Sequence, residues 1–145
     1  MARVGRRARV EWAGNLGSGG GKVSLGSRGI LEESPVAWAS RTEQPGGKTY
    51  PGELMAAAHS SCYAMAPSVT LAEEGNEPEQ LSVEATCAFD NEVLKVSSVD
   101  LEVRGAVEGI SQEDFQEFAA QAEELCPVSN AIRGNVEVRV DARLS

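Results

Sequence analysis

The sequence predicts an α+β protein in which strands and helices are clustered along the chain and do not strictly alternate. Two observations carry this prediction. The stretch from Tyr50 to Glu74 has the pattern of one long helix with few charges, and several other segments alternate between apolar and polar residues, as half-buried strands do. The predicted order is three strands, the long helix, two strands, a second helix and a final strand. With 145 residues, the chain predicts one domain that spans residues 1–145.

The N-terminal part predicts a meander of short strands. Residues 8–12 alternate as a strand, the glycine-rich run 15–21 forms a hairpin loop, and residues 23–25 continue as the second strand. Residues 30–31 form a third strand. The glycine-rich run does not match a phosphate-binding loop, because no Gly-Lys-Ser/Thr follows it and the next element is a strand. Residues 34–51 are predicted to be a loop, and a loop of this length is uncommon unless it has a function.

The long helix is the most informative element, because it is almost free of charge between residues 54 and 71. Its most apolar stripe is spaced three and four residues apart: Leu54, Ala58, Cys62, Met65, Val69 and Ala72. We expect such a helix to be buried nearly all round, which is more than one domain of this size covers. A homodimer with this helix at its interface is therefore expected. Pro67 removes one backbone hydrogen bond and predicts a kink or a break one turn after Cys62.

The C-terminal half predicts two long strands, an amphipathic helix and the clearest strand of the chain. The two strands span residues 81–89 and 93–107. The helix spans 111–125 and begins with a serine cap and two acidic residues in its first turn. A further helical turn follows over 128–133, and strict alternation over 136–144 predicts the last strand.

The composition excludes several classes of protein. The net charge is −9, so the surface repels phosphate backbones and nucleic-acid binding is not expected. No apolar run approaches the ~18 residues of a membrane span. The N-terminus lacks the apolar stretch of a secretory signal, which together predicts no membrane association and a cytoplasmic location. The three cysteines are too few for a disulfide scaffold and are expected to be reduced thiols.

Two of these cysteines lie where a reactive pair could form. Cys62 lies on the long helix, and Cys126 lies at a helix end before Pro127. A thiolate that attacks a peroxide O–O bond becomes a sulfenic acid, and a second thiol captures it as a disulfide. Cys62 is too far from the start of its helix for the helix dipole to stabilise a thiolate, so a cation is needed, and Arg41 is the candidate. Cys87 faces the buried side of its strand and is predicted to be structural.

Other interpretations of the same residues stay open. Cys62 can be a small hydrophobic residue in the core. His59 shares a helix face with Cys62 and offers half of a zinc site, but no paired ligand spacing completes it, so no metal is predicted. His59 could also serve as the base of a Cys62 nucleophile in a thiol hydrolase, with Asn130 as the orienting residue. A buried, hydrogen-bonded histidine is the preferred interpretation of His59.

These motifs resemble those of the OsmC/Ohr family, the osmotically inducible and organic hydroperoxide resistance proteins. The resemblance lies in PGELMAAAHSSCYAM (residues 51–65), in LCPVSNAI (125–132), in the Arg41 loop and in an N-terminal hairpin that carries Glu11 and Trp12. It covers nearly the whole chain. The AAAH run before the cysteine and the position of Arg41 are more similar to the OsmC branch of the family.

The resemblance implies a thiol-dependent peroxidase that reduces organic hydroperoxides and also hydrogen peroxide. It implies that Cys62 is the peroxidatic cysteine, that Cys126 resolves the sulfenic acid, and that Arg41 holds the thiolate and the peroxide. It further implies an OsmC-like fold, built as an intertwined homodimer with active sites at the interface. No metal or organic cofactor is implied. The implied reductant is an external dithiol, such as the lipoylated proteins that serve the Ohr branch.

The sequence departs from the family pattern in two places. The family glutamate that pairs with the arginine aligns with Gly52, and Glu53, about 100° further around the helix, is its candidate substitute. Pro67 stands where a helix-tolerant residue is common. These departures leave a non-catalytic dimeric stress or binding protein of the same fold as an alternative function. A Cys–His thioester hydrolase is a second alternative.

Overall fold

The structure, a computed structural model, describes residues 3, 5–27, 29–38 and 46–145. In these residues six strands and three helices follow the predicted order, so the α+β prediction is confirmed. The chain forms two compact units, Met1–Pro51 and Gly52–Ser145, which are described separately. The single domain over residues 1–145 stays a prediction.

The first unit contains a three-stranded antiparallel sheet. Strand β1 spans Ala8–Ala13, β2 spans Gly20–Leu25 and β3 spans Ser34–Val36, in the order β1-β2-β3. The predicted hairpin is confirmed, since Ala13 pairs with Gly20 across the glycine-rich loop. Gly21 is required at this point because a Cβ atom there would lie 2.9 Å from the Trp12 ring.

The predicted third strand at residues 30–31 is wrong. Leu31 has a φ of 47° and Glu33 a φ of 46°, and this left-handed backbone conformation cannot continue a strand. Strand β3 therefore begins at Ser34, inside the stretch that was expected to be loop. Arg41, the predicted active-site cation, lies outside the described residues.

The second unit begins with helix α1, which spans Pro51–Glu73 and confirms the predicted long helix. The helix ends at Gly75, which has a φ of 79°. Its amide donates to the Ala72 carbonyl, and the Asn76 amide donates to the Leu71 carbonyl, the pair of bonds that defines a glycine-capped helix end. Helix α1 continues through Pro67, so the expected break does not occur.

Within the single chain, α1 is buried on one face only, so its burial nearly all round in a homodimer stays a prediction. The face that is buried consists of Gly52, His59, Tyr63, Pro67, Thr70 and Leu71. Met65 and Val69, from the stripe that hydropathy selects, are 68% and 56% exposed. Cys62 lies at the border between the two faces and is half-buried.

The sheet of the second unit consists of three long strands. Strand β4 spans Gln80–Asp90, β5 spans Lys95–Ala106 and β6 spans Glu137–Leu144. Strands β4 and β5 form an antiparallel hairpin with a bulge, whereas β6 pairs with β5 in parallel. Parallel neighbours need a crossover connection, and the two remaining helices provide it.

Helix α2 spans Gln112–Leu125 and helix α3 spans Pro127–Ile132. The Ser111 hydroxyl caps α2 by accepting a hydrogen bond from the Asp114 amide at 3.1 Å. The core lies between α1, α2 and one face of the sheet, and its largest fully buried side chains include Tyr63, Phe115 and Leu101. None of the helices in the described residues is long and apolar enough to cross a membrane.

Candidate functional site

The site is built around a sharp corner between α2 and α3. Cys126 occupies this corner as the last cap of α2 and the first cap of α3, with an extended backbone at φ −82° and ψ 114°. Pro127 follows it at the first position of α3, where a missing N–H costs no helical hydrogen bond. The Cys126 side chain is 0% exposed and belongs to the core. The corner therefore holds this thiol at a fixed point.

The structure brings the two predicted reactive cysteines together. The Cys62 and Cys126 side chains are neighbours, close enough for Cys126 to raise the pKa of the Cys62 thiol, and both cysteines are reduced. The backbone amide of Val128 is also close to the Cys62 sulfur and lowers that pKa. Because Pro127 has no N–H, Val128 offers the first amide of α3, and amides of a first helical turn have no partner inside the helix.

These surroundings shift the pKa of the Cys62 thiol in opposite directions. Burial is the main cause that raises its pKa, and the neighbouring Cys126 adds to the increase. The Val128 amide lowers the pKa, because a hydrogen bond to the thiolate stabilises the charged form. Arg41, the cation expected to lower the pKa further, lies outside the described residues.

The two thiols differ in accessibility. Cys62 is half-buried, whereas Cys126 is fully buried. A dissolved oxidant therefore reaches Cys62 first, and Cys126 can react only with a group that Cys62 presents to it.

His59 lies one helical turn before Cys62, and its described contacts differ from those of the hydrolase arrangement. Its Nε2 atom is 2.7 Å from the Ser129 hydroxyl oxygen, and its Nδ1 atom has no partner in the described part of the chain. The proposed orienting residue, Asn130, donates instead to the Glu124 carbonyl at 3.0 Å. The histidine is therefore the buried, hydrogen-bonded residue that the sequence predicts, and burial lowers its pKa.

An ionic cluster fixes α3 against the end of α2. The Arg133 guanidinium donates to the Glu123 carboxylate at 3.0 Å and to the Asn130 side-chain oxygen at 2.8 Å. It also donates to the Glu123 carbonyl at 3.2 Å. Because these bonds span the corner, they hold α2 and α3 in a fixed arrangement around Cys126.

Glu53 lies in the first turn of α1 and is exposed. The helical rise and rotation place it about 13 Å along the axis from Cys62 and on roughly the opposite side. Gly52, the position where the resemblance predicts the family glutamate, is buried. The catalytic role of Glu53 stays a prediction.

Cys87 lies on β4 opposite Val99 of β5 and packs against the core. Burial raises the pKa of its thiol. No group of three or more metal-ligating side chains occurs in the described ranges.

Sequence reasoning missed Val128 and Ser129. The signal for Val128 was present. Pro127 marks the start of a helix, and the amides of a first helical turn have no partner inside the helix. The contact between Ser129 and His59 had no sequence signal, since it depends on how α3 packs against α1.

Known proteins are similar to this chain over most of its length. The OsmC-like protein family matches residues 44–141 of the chain. The chain is 31% identical over 143 residues to peroxiredoxin OsmC of Escherichia coli, with 97% of each protein covered. It is 33% identical over 102 residues to organic hydroperoxide resistance protein-like 2 of Staphylococcus epidermidis, with 68% of this chain and 70% of the relative covered.

Solved structures share the fold. An organic hydroperoxide resistance protein OsmC of Legionella pneumophila matches with a TM-score of 0.72 at 24% identity, with 99% of each chain covered. The organic hydroperoxide resistance protein OhrB of Bacillus subtilis matches with a TM-score of 0.67 at 24% identity, with 94% of this chain and 98% of that chain covered. The predicted OsmC-like fold is thereby confirmed.

Proposed function

The chain belongs to the OsmC family, and on that premise we propose that it is a cysteine-based peroxidase that reduces organic hydroperoxides and also hydrogen peroxide. The observation that carries the proposal is the proximity of the Cys62 and Cys126 thiols in one packed cluster. Relatives named peroxiredoxin OsmC and organic hydroperoxide resistance protein support the same activity.

In the proposed reaction, the Cys62 thiolate attacks the distal oxygen of the hydroperoxide. The O–O bond breaks, the alkoxide takes a proton and leaves as an alcohol, and Cys62 becomes a sulfenic acid. The Cys126 thiolate then attacks the Cys62 sulfur, and hydroxide leaves and takes a proton as water. One hydroperoxide and two thiols become one alcohol, one water and one disulfide, so two electrons pass from the cysteines to the peroxide.

The site supplies part of the activation that this reaction needs. The Val128 amide stabilises the Cys62 thiolate, and its bond is made to the charged form that attacks. Each unit by which a pKa is lowered requires ~1.4 kcal/mol of preferential stabilisation. We assign the remaining stabilisation to Arg41, with Glu53 as its candidate partner.

An external dithiol closes the cycle. It attacks the Cys62–Cys126 disulfide and leaves with a disulfide of its own, which returns both cysteines to thiols. A lipoylated protein has the required chemistry. No metal or organic cofactor takes part in any of these steps.

The proposed active form is a homodimer that covers the exposed face of α1. Met65 and Val69 expose more than half of their surface in the single chain, although they lie on an almost uncharged helix. A second copy of α1 has the same apolar character and would cover them. Sedimentation at micromolar concentration should give the mass of two chains, and a single-chain mass would contradict this assembly.

The alternative function is a non-catalytic binding or stress protein of the same fold. Gly52 favours it, because the glutamate that the family pairs with its arginine is absent at that position. The thioester hydrolase is disfavoured, since His59 contacts Ser129 and Asn130 contacts neither His59 nor Cys62 in the described hydrogen bonds.

The test adds one equivalent of cumene hydroperoxide to the reduced protein and counts the remaining free thiols, with peptide mass mapping. We expect the rapid loss of two thiols and a Cys62–Cys126 linkage, while Cys87 remains free as the internal control. Survival of all three thiols would overturn the peroxidase proposal in favour of the binding protein.

A further inference from the structure

A buried hydrogen bond also joins the two elements that carry the thiols, helix α1 and the α2–α3 corner. His59 is 1% exposed and Ser129 is 0% exposed. The His59 Nε2 atom and the Ser129 hydroxyl oxygen lie 2.7 Å apart. This distance is that of a well-formed hydrogen bond, and both partners are shielded from water.

The placement of this bond mirrors that of the thiols. His59 precedes Cys62 by one turn of α1, so both side chains lie on neighbouring parts of one helix side. Ser129 follows Cys126 by one turn in α3. The thiol contact and the His59–Ser129 bond are therefore two parallel connections between α1 and the α2–α3 corner.

Packing alone does not explain a histidine at this position. Its Nδ1 atom is buried without a partner in the residues that the structure describes, and a buried polar atom without a partner destabilises the fold. An apolar side chain of similar volume would avoid this cost. What the histidine adds is the bond from Nε2 to α3. Burial keeps the ring neutral, despite the nearby Glu123 carboxylate.

We propose that His59 and Ser129 are positioning residues that hold α3 against α1, so that Cys126 captures the Cys62 sulfenic acid before a second hydroperoxide reaches it. This inference rests on the proposed peroxidase function. In the described hydrogen bonds, the two side chains pair with each other and not with either sulfur atom. They act by fixing the distance between α1 and the corner.

The sulfenic acid has two competing fates. In the first, the Cys126 thiolate attacks the Cys62 sulfur, the S–O bond breaks, and hydroxide leaves to give the disulfide. In the second, the sulfenate attacks another hydroperoxide, the O–O bond breaks, and Cys62 becomes a sulfinic acid while an alcohol leaves. The first reaction must bring the sulfur atoms to about 2.05 Å, so it depends steeply on the position of α3, whereas the second does not.

The readout is the ratio of sulfinic acid to disulfide at Cys62, measured by mass spectrometry over a series of cumene hydroperoxide concentrations. This ratio compares two fates of one intermediate, so the rate of the first attack does not affect it. We expect Ser129→Ala and His59→Leu to raise the ratio about tenfold. His59→Gln keeps a side-chain amide that reaches Ser129, and it should restore a ratio near that of the parent.

The matched control is Tyr63→Phe. The Tyr63 hydroxyl donates to the Ala119 carbonyl at 2.7 Å, so it is also a buried bond from α1, but it reaches α2 and not α3. Its ratio should stay within about twofold of the parent if the effect belongs to the α3 connection. The double variant His59→Leu/Ser129→Ala should match the single variants, because both remove the same bond.

A parental ratio in the folded Ser129→Ala and His59→Leu variants would overturn the proposal, as would an equal increase in Tyr63→Phe. If Ser129→Ala does not fold, the pair His59→Leu and His59→Gln decides by the same criterion. Failure of the peroxidase function is distinguishable, because the parent protein would then form neither disulfide nor sulfinic acid.

Discussion

Cys62 and Cys87 are both half-buried thiols that pack against the same core, but their neighbours differ in kind. Cys87 lies over the sheet opposite Val99, and burial alone raises its pKa. Cys62 faces a second thiol and an amide donor at the α2–α3 corner. Burial is therefore common to the proposed reactive cysteine and to the predicted structural one. The neighbouring thiol and the nearby amide are what set Cys62 apart.

The largest expected effect is the loss of hydroperoxide consumption when the Cys62 thiol is removed. Cys62→Ser should lower the rate of hydroperoxide consumption by roughly 10³-fold or more, because the nucleophile is lost. Steady-state consumption of cumene hydroperoxide with a dithiol reductant measures it. Cys87→Ser is the matched control and should keep the parental rate. Equal loss in both variants would contradict the difference between the corner and the sheet.

The next expected effect distinguishes the proposed role of Cys126 from that of Cys62. In Cys126→Ser the first attack on peroxide should stay within about threefold of the parent, a barrier change of under ~0.7 kcal/mol. Catalytic turnover should stop, because no thiol captures the sulfenic acid, and Cys62 should accumulate as sulfinic acid. Stopped-flow kinetics and intact mass spectrometry measure the two quantities. Sustained turnover through a Cys62–Cys87 disulfide would contradict the assigned roles.

A smaller effect concerns the contribution to stability of the contact between α1 and α2. Tyr63→Phe removes the buried hydrogen bond to the Ala119 carbonyl and should lower the free energy of unfolding by ~1–2 kcal/mol. Urea unfolding with an unchanged slope measures it. Ser68→Ala is the control, since the exposed Ser68 hydroxyl bonds only to the Ala64 carbonyl of its own helix. Its change should stay within about 0.5 kcal/mol.

The smallest expected effect is a dependence of the free energy of unfolding on pH that comes from His59. The folded protein holds the pKa of His59 below its ordinary value of 6.5, mainly by burial. The unfolded chain therefore binds a proton that the folded protein resists, and the free energy of unfolding should fall as the pH drops below about 6.5. His59→Gln should reduce this slope. Urea midpoints of both proteins between pH 7 and pH 5 measure it, and identical slopes would contradict the assignment.

Much of the fold followed from local patterns. Alternation located the long strands, and Pro127 marked a helix end where the structure has it. The third strand was misplaced because Leu31 and Glu33 adopt left-handed backbone angles, which no hydropathy pattern reveals. The parallel pairing of β6 with β5 also had no local signal, because it is a choice of topology.

Within the single chain, the buried face of α1 is not its most apolar stripe. Hydropathy ranked Met65 and Val69 as core residues, yet the buried face contains His59 and the Tyr63 hydroxyl. The His59 Nε2 atom and the Tyr63 hydroxyl are buried at low cost because the Ser129 hydroxyl and the Ala119 carbonyl provide the matching hydrogen bonds. A single sequence does not reveal such partners in advance. The pairing of Cys62 with Cys126 came from family resemblance, while the Val128 amide and Ser129 emerged only from packing.

The parallel strand β6 has a consequence for the order in which the protein matures. Helices α2 and α3 form the crossover between β5 and β6, so the corner is fixed in place only when β6 joins the sheet. During synthesis the segment with Cys62 emerges long before β6, and domains dock from the N-terminus onward. Under the proposed function, a nascent chain therefore exposes the Cys62 thiol before Cys126, which would capture its sulfenic acid, is held in place. The interval before β6 is translated is the period in which irreversible oxidation of Cys62 is least protected.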